Sequence, residues 1–229
     1  MDKPSPEPPT PTHAWLGWLL QTWTPIVTSL VALGFSIYNF VLIKPPKVEV
    51  WLPHIVRMGQ HSNRAYFVVQ PTITAPTKSE DVEIITEVEL KLEPRSPSDH
   101  PDRPQFWWDE LVNFEAPPKE AFEHAADPAA IVIAQEKPQQ PFFSFVAERW
   151  GFKPGEYRGS LTLHRRSDKK NPIVQTFCLS ISGKDLEEFR QKAETEWPWY
   201  AFRNDDPSGK QKNKGTGRPS DCYIRWDGY

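Results

Sequence analysis

Residues Asp81–Glu93, DVEIITEVELKLE, decide how this chain folds. Val82, Ile84, Val88, Leu90 and Leu92 fall on one side of an alternation. Glu83, Glu87, Glu89, Lys91 and Glu93 fall on the other. A period of two predicts a β-strand with one buried and one wet face. A helix would need apolar residues at three-to-four spacing, which this run lacks. The glutamate row reads as a solvated sheet face rather than as paired acid–base groups.

The same period recurs on both sides. Val48–Leu52 opens a strand, and Ala65–Ala75 places Phe67, Val69 and Ile73 on one face against Gln70, Thr72 and Thr74. FWWDELVNFE (106–115) is a short aromatic strand, and 116–126 is compatible with a short helix. Ala129–Ala134 and Phe142–Ala147 read as strands, or as one strand broken around Lys137–Pro141. After the turn Lys153–Glu156, Tyr157, Gly159, Leu161 and Leu163 alternate. Pro172–Ser182 is the last strand, with Ile173, Phe177, Leu179 and Ile181 inward and Cys178 outward. A helix is predicted next. Ser182 and Asp185 have capping-box spacing, Leu186, Phe189, Ala193 and Trp197 form its stripe, and Pro198 stops it.

Before all of this comes Ala14–Ile43, AWLGWLLQTWTPIVTSLVALGFSIYNFVLI, without an Asp, Glu, Lys, Arg or His. A spanning helix needs roughly 20 apolar residues. Thr24 can cap a helix and Pro25 suits its first position, so Pro25–Ile43 is the strongest span, about 28 Å long. Ala14–Thr22 then lies at the interface or continues the helix through a kink. Trp15, Trp18 and Trp23 at one end and Tyr38 near the other suit an aromatic belt, with Lys44 and Lys47 at the exit. The near-neutral, Pro-rich start and the IKPPK exit argue against a cleaved signal peptide. Lack of a charged face argues against a surface helix. Lys44, Lys47, Arg57 and Arg64 outnumber Lys3 across the span, so the positive-inside rule places the C-terminal domain in the cytoplasm. Ala32 and Ser36 form a small-xxx-small pair that would let two such helices approach as a homo-oligomer.

The expected organisation is a Pro-rich tail (1–13), a transmembrane helix (14–43), a β-sandwich (44–182), a C-terminal helix docking on it (183–203) and a flexible basic and aromatic tail (204–229). The fold class is mainly β: strands with turn signals, little helix and no alternating β–α pattern argue for an antiparallel sandwich. KPGEYRGSLTL (153–163) resembles the turn and sixth strand of immunoglobulin-like and fibronectin type III-like sandwiches. That resemblance implies a tyrosine packed near the strand start, here Tyr157. The Cys–Trp–Cys pattern of antibody domains is absent.

Composition limits the function. Net charge is −3 and the pI about 6.1, so no basic footprint for nucleic acid is expected. The two cysteines, Cys178 and Cys222, are no disulfide framework and suit a reducing compartment, with one bridge open to them outside the cytoplasm. G-x-S-x-G, H-E-x-x-H and a phosphate-cradling glycine loop are missing. The six histidines form no ligand-like pair, so neither metal nor cofactor is expected. Phe106-Trp107-Trp108-Asp109 and Trp197-Pro198-Trp199-Tyr200 remain as binding candidates, either as a sugar platform or protein hot spot or as covers for the sandwich ends. The leading expectation is a non-enzymatic, single-pass membrane protein whose sandwich binds another protein beside the lipid bilayer. The alternatives are an extracytoplasmic carbohydrate-binding module using Trp107, Trp108 and Asp109, and a membrane-damaging effector acting through helix oligomerisation.

Overall fold

The computed structural model describes residues 12–42, 47–61, 63–75, 82–95, 104–115, 121–134, 137–192, 199–205 and 222–226. In the first helix, side chains are described at 21 and 23–38, and in the second up to 190. The chain divides into two units, residues 1–44 and 45–229.

The first unit holds α1, Thr12–Leu42. The helix does not start at Pro25 but runs through it. Hydroxyls next to the proline bond back by one turn, Thr28 Oγ1 donating to Thr24 O at 2.7 Å and Ser29 Oγ to Pro25 O at 2.7 Å. Ile26, Val27, Leu30, Val31, Leu33, Phe35 and Ile37 are all exposed, and the described part of α1 carries no charge on any face; Gln21, Thr28, Ser29 and Ser36 share one side of it. Among the described residues, no helix is long and apolar enough to cross a membrane.

The second unit is mainly β. A small sheet pairs β1 (Glu49–Trp51) with β4 (Thr72–Thr74). The main sheet is built from β2 (Ile55–His61), β3 (Arg64–Val69), β5 (Glu83–Pro94), β6 (Trp107–Glu115), β7 (Ala121–Ala126), β8 (Ile131–Ile133), β9 (Phe142–Glu148), β10 (Gly155–Arg165), β11 (Ile173–Ile181), β12 (Tyr200–Arg203) and β13 (Cys222–Arg225). Its order is β7-β6-β9-β3-β2-β12-β13-β11-β10-β5-β8, and it curls around one apolar core. All the pairings are antiparallel except β11 with β13.

The inner face carries Phe67, Phe143, Phe145, Leu90, Leu92, Leu161, Leu163 and Leu179, each essentially buried. Each such side chain contributes about 1.5–3 kcal/mol relative to exposure. Gly159 is required where it stands: a Cβ there would lie 2.2 Å from the ring of Phe177, its cross-strand partner, which stacks on Phe67. Tyr157 is buried at the start of β10. Its hydroxyl donates to Lys153 O at 2.9 Å and accepts from Lys153 N at 3.1 Å, which makes the corner its turn implies. The capping box also forms around α2 (Gly183–Lys192): Ser182 N donates to Asp185 Oδ2 at 2.7 Å, and Asp185 N to Ser182 Oγ at 3.2 Å.

Four expectations are corrected. Residues 121–126 form β7, not a helix. Of the predicted helix 183–203, Gly183–Lys192 is helical and Tyr200–Arg203 is strand β12; residues 193–198, with Ala193 and Trp197, lie outside the described residues. Within 204–229, expected to be a flexible tail, Cys222–Arg225 is β13, and the described residues 204 and 205 continue from β12. Both strands are only four residues long, too short for alternation to stand out, yet they lie mid-sheet and join its two halves.

The fourth correction lies inside the opening stretch. Val82 is exposed and Glu83 is buried, the reverse of the predicted faces. A register shift opposite His164/Arg165 inserts an extra residue between Ile85 and Glu87. A bulge of this kind inverts which parity points inward. Glu83 is held by the amides of Ile84 at 3.0 Å and Ser167 at 3.2 Å and by the Ser167 hydroxyl, so its burial leaves no acceptor unpaired. From Val88 onward the predicted faces hold.

Candidate functional site: an open seam beside β5

Strand β5 pairs with β10 along its length, from Pro94↔Tyr157 to Ile85↔Arg165. On its other side β8 covers only Glu83–Ile85. Among the described residues no strand pairs with Thr86–Pro94 there. That open side borders a groove of about 1000 Å³, lined by Thr86–Glu93, Pro104–Trp108 and Pro128–Ala130. Among the described residues the curled sheet thus comes back towards itself without closing.

The β6 lip is shaped by a second bulge, between Trp108 and Glu110. Trp107 pairs with Val146 and is about half exposed at the lip. Trp108 turns inward and packs edge-to-face on Phe143 at 5.3 Å, with its indole N–H donating to Glu110 O at 3.2 Å. Trp108 therefore helps close the end of the core, while Trp107 offers a free ring face. Asp109 sits on the bulge, outside the groove lining. Partial loss of water pushes its carboxyl above the usual range, as does Glu110. Arg64 opposes this and Glu148 adds to it.

The β5 lip carries Glu87, Glu89, Lys91 and Glu93. Glu89 lies 3.2 Å from Lys91 and 3.3 Å from His164 Nε2 on β10. Glu87, Glu89 and His164 bring ligand-type atoms within 4.8 Å of one another. Nothing in the chain order points to this cluster, because His164 joins it only through strand pairing. Its carboxylates are exposed or half-exposed, and the contacts around Glu89 are accounted for by Lys91 and His164.

The other aromatic candidates fall elsewhere. Trp197 lies outside the described residues. Trp199 packs on Phe122 of β7 at 4.7 Å and on Tyr66 of β3 at 6.0 Å, both edge-on. Arg57 of β2 sits over the ring of Phe114 of β6 at 3.9 Å. These contacts span several strands, so the far end of the β6–β7 hairpin folds over the outer face of the sheet. A second small cluster forms under it, with Tyr66, Val68, Val112 and Val146 buried apart from the main core. Trp199 thus has a packing role. Of the membrane-anchoring candidates, Trp23 and Tyr38 are exposed on α1, and Lys47 pairs with Glu49 at 2.6 Å. Trp15 and Trp18 fall within α1, and Lys44 lies outside the described residues.

Cys178 and Cys222 are disulfide-bonded, joining β11 to β13 at the register Cys178↔Cys222. Cys178 faces outward from the core as predicted, and its partner comes from the segment expected to be a tail.

No protein-family profile and no curated protein matches this chain. Among solved structures it is similar to a family 123 glycoside hydrolase from Clostridium perfringens, at 11% identity and a TM-score of 0.29. The likeness covers 51% of this chain and 21% of that one, so the chain spans about a fifth of the enzyme's length. A likeness this slight carries no argument about activity.

Proposed function

We propose that this chain is a single-pass membrane protein that presents a non-catalytic β-domain for binding another protein. The observation that carries the reading is the run Ala14–Ile43. It holds no charged side chain, and where α1 is described it is uncharged and exposed all round. Thirty uncharged residues in sequence are more than the roughly 20 that a spanning helix needs, and a run without charge on any side suits an apolar surrounding. The Tyr157 corner and the antiparallel pairing support an immunoglobulin-like ancestry for the domain, to which β12 and β13 would be additions.

Orientation rests on two opposed signals. Basic residues after the span favour the cytoplasm, whereas the Cys178–Cys222 disulfide favours an oxidising compartment. We take the bond as the stronger, because the charge bias rests on few residues. The test is fractionation of cells making the full chain. Retention in carbonate-washed membranes, with release by detergent, is expected; release by carbonate alone would reject the anchor. Alkylation before and after reduction then reads the orientation, with free thiols in the untreated protein returning the domain to the cytoplasm.

The exposed ring of Trp107 near the carboxylates of β5 favours a second reading, a carbohydrate-binding module in the same groove. Glycan-array binding that disappears in Trp107→Ala is its test.

A further inference from the structure

We infer that the open edge of β5 is a docking site for an extended segment of a partner protein, with apolar residues alternating with basic ones. This deepens the protein-binding reading and takes its class of partner from it.

Three observations carry the inference. The first is the direction of the backbone groups. Arg95 N donates to Glu156 O on the β10 side. In an antiparallel ladder successive residues bond to opposite sides, so Glu93, Lys91, Glu89 and Glu87 bond to β10. Val88, Leu90 and Leu92 therefore turn their N–H and C=O groups toward the groove. Among the described residues no strand meets them there. Pro94, next in that phase, has no N–H to offer and ends the usable edge. A row of outward amides and carbonyls recognises another backbone, whatever its sequence.

The second is shape. Thr86–Glu93 gives roughly 25 Å of edge. The groove runs beside it, with Phe106 and Trp108 on the core side and Trp107 at the outer lip. A strand laid here points alternate side chains inward, toward Phe106, Trp108 and Leu90, and the others outward beside the glutamates.

The third is charge. The outward positions alongside are Glu87, Glu89, Lys91 and Glu93, a net negative row. Two copies pairing edge to edge would bring these rows together, which argues against self-association. Basic residues at every second position are complementary to them.

The test uses the full chain in detergent micelles and an acetylated octapeptide of alternating lysine and valine. Hydrogen exchange of the free protein comes first. The amides of Val88, Leu90 and Leu92 should exchange fast, while those of Lys91 and Glu89 are protected. Slow exchange at all five would mean that the chain covers its own edge, and would overturn the inference. Saturating peptide should slow the three edge amides about tenfold or more. N-methylation of the valines or of the lysines should abolish binding in one phase only, because only one edge of the added strand is bonded. Glu87→Lys with Glu89→Lys should weaken binding about tenfold. Equal binding of both methylated peptides, unchanged edge amides, or a glycan that shields Trp107 without slowing them would each overturn it. A partner crosslinked in cells through another surface, with these amides unmoved, would sink the edge and leave the protein-binding reading standing.

Discussion

The curled sheet has two places where its halves meet, and they are built in opposite ways. At the joint, β12 and β13 lie between β2 and β11, and a disulfide fastens β13 to β11. At the seam, β5 and β6 face each other across a groove, and among the described residues no strand lies between them. The joint is stitched on every side. Arg225 reaches Glu188 of α2 at 2.7 Å and lies over Tyr200 at 4.0 Å. Arg203 holds Asp205 through two bonds of 2.8 and 2.9 Å, which keeps that carboxyl below its usual range. The seam has an unpaired edge, an exposed tryptophan and a row of carboxylates. One junction carries stability, and the other is left able to bind.

Removing the disulfide breaks the joint most directly. Cys178 and Cys222 are 44 residues apart, and the chain-entropy account of a loop that long gives about 4 kcal/mol. Cys178→Ser with Cys222→Ser should lower stability by about that amount in urea unfolding of residues 45–229 freed from α1. A loss under about 1 kcal/mol would mean that the strands hold the joint without the bond.

Glu83→Ala tests the bulge where β5 passes from covered to open edge. The amides of Ile84 and Ser167 would lose their acceptor in a buried place, at a cost of about 1–3 kcal/mol. Glu87→Ala, on the exposed side of the same strand, should stay within about 0.5 kcal/mol. Equal effects from the two would show that the inversion of faces is wrong.

Much of the wall between joint and seam was legible. The alternation from Val88 to Glu93, the Tyr157 corner and the Ser182–Asp185 box depend on neighbours within a few residues, and local chemistry declares them. What was hidden depends on distant partners. Glu83 turns inward because β10 fixes a bulge opposite it. The strands Tyr200–Arg203 and Cys222–Arg225 are too short to show a period, and they sit among polar residues. Ala121–Ala126, AFEHAA, has neither the β-branched content nor the contrast of a strand, and it pairs only because β6 offers an edge. The seam was half legible: Trp107 and Trp108 stood out, and neighbours in a strand face opposite ways, but which of the two rings turns inward is set by pairing with the distant β9.

A pH effect separates the regions again. Burial pushes the hydroxyls of Tyr157 and, more strongly, Tyr223 above the usual tyrosine value, with Asp205 adding to the second and the Lys153 backbone bond opposing the first. Tyr223 belongs to the joint and donates to Pro53 O. A raised folded pKa favours the protonated form, so this stability is complete below the unfolded value of about 10 and is lost as pH rises past it. Wild type should therefore lose stability above about pH 10, and Tyr223→Phe should lose about 1 kcal/mol at neutral pH but show a flatter alkaline decline. An unchanged alkaline slope in Tyr223→Phe would remove the joint from the account.

The smallest stability effect is expected at the seam. Trp107 is about half exposed and lies on a lip rather than in the core, so Trp107→Ala should change urea stability by no more than about 0.5 kcal/mol. Trp108→Ala, which removes the ring from Phe143, should cost about 3 kcal/mol. The neighbours thus divide as the two junctions do, one ring supporting the core and the other available to a ligand. If Trp107→Ala proved as destabilising as Trp108→Ala, the lip would be part of the packing, and the groove would lose its claim to be a site.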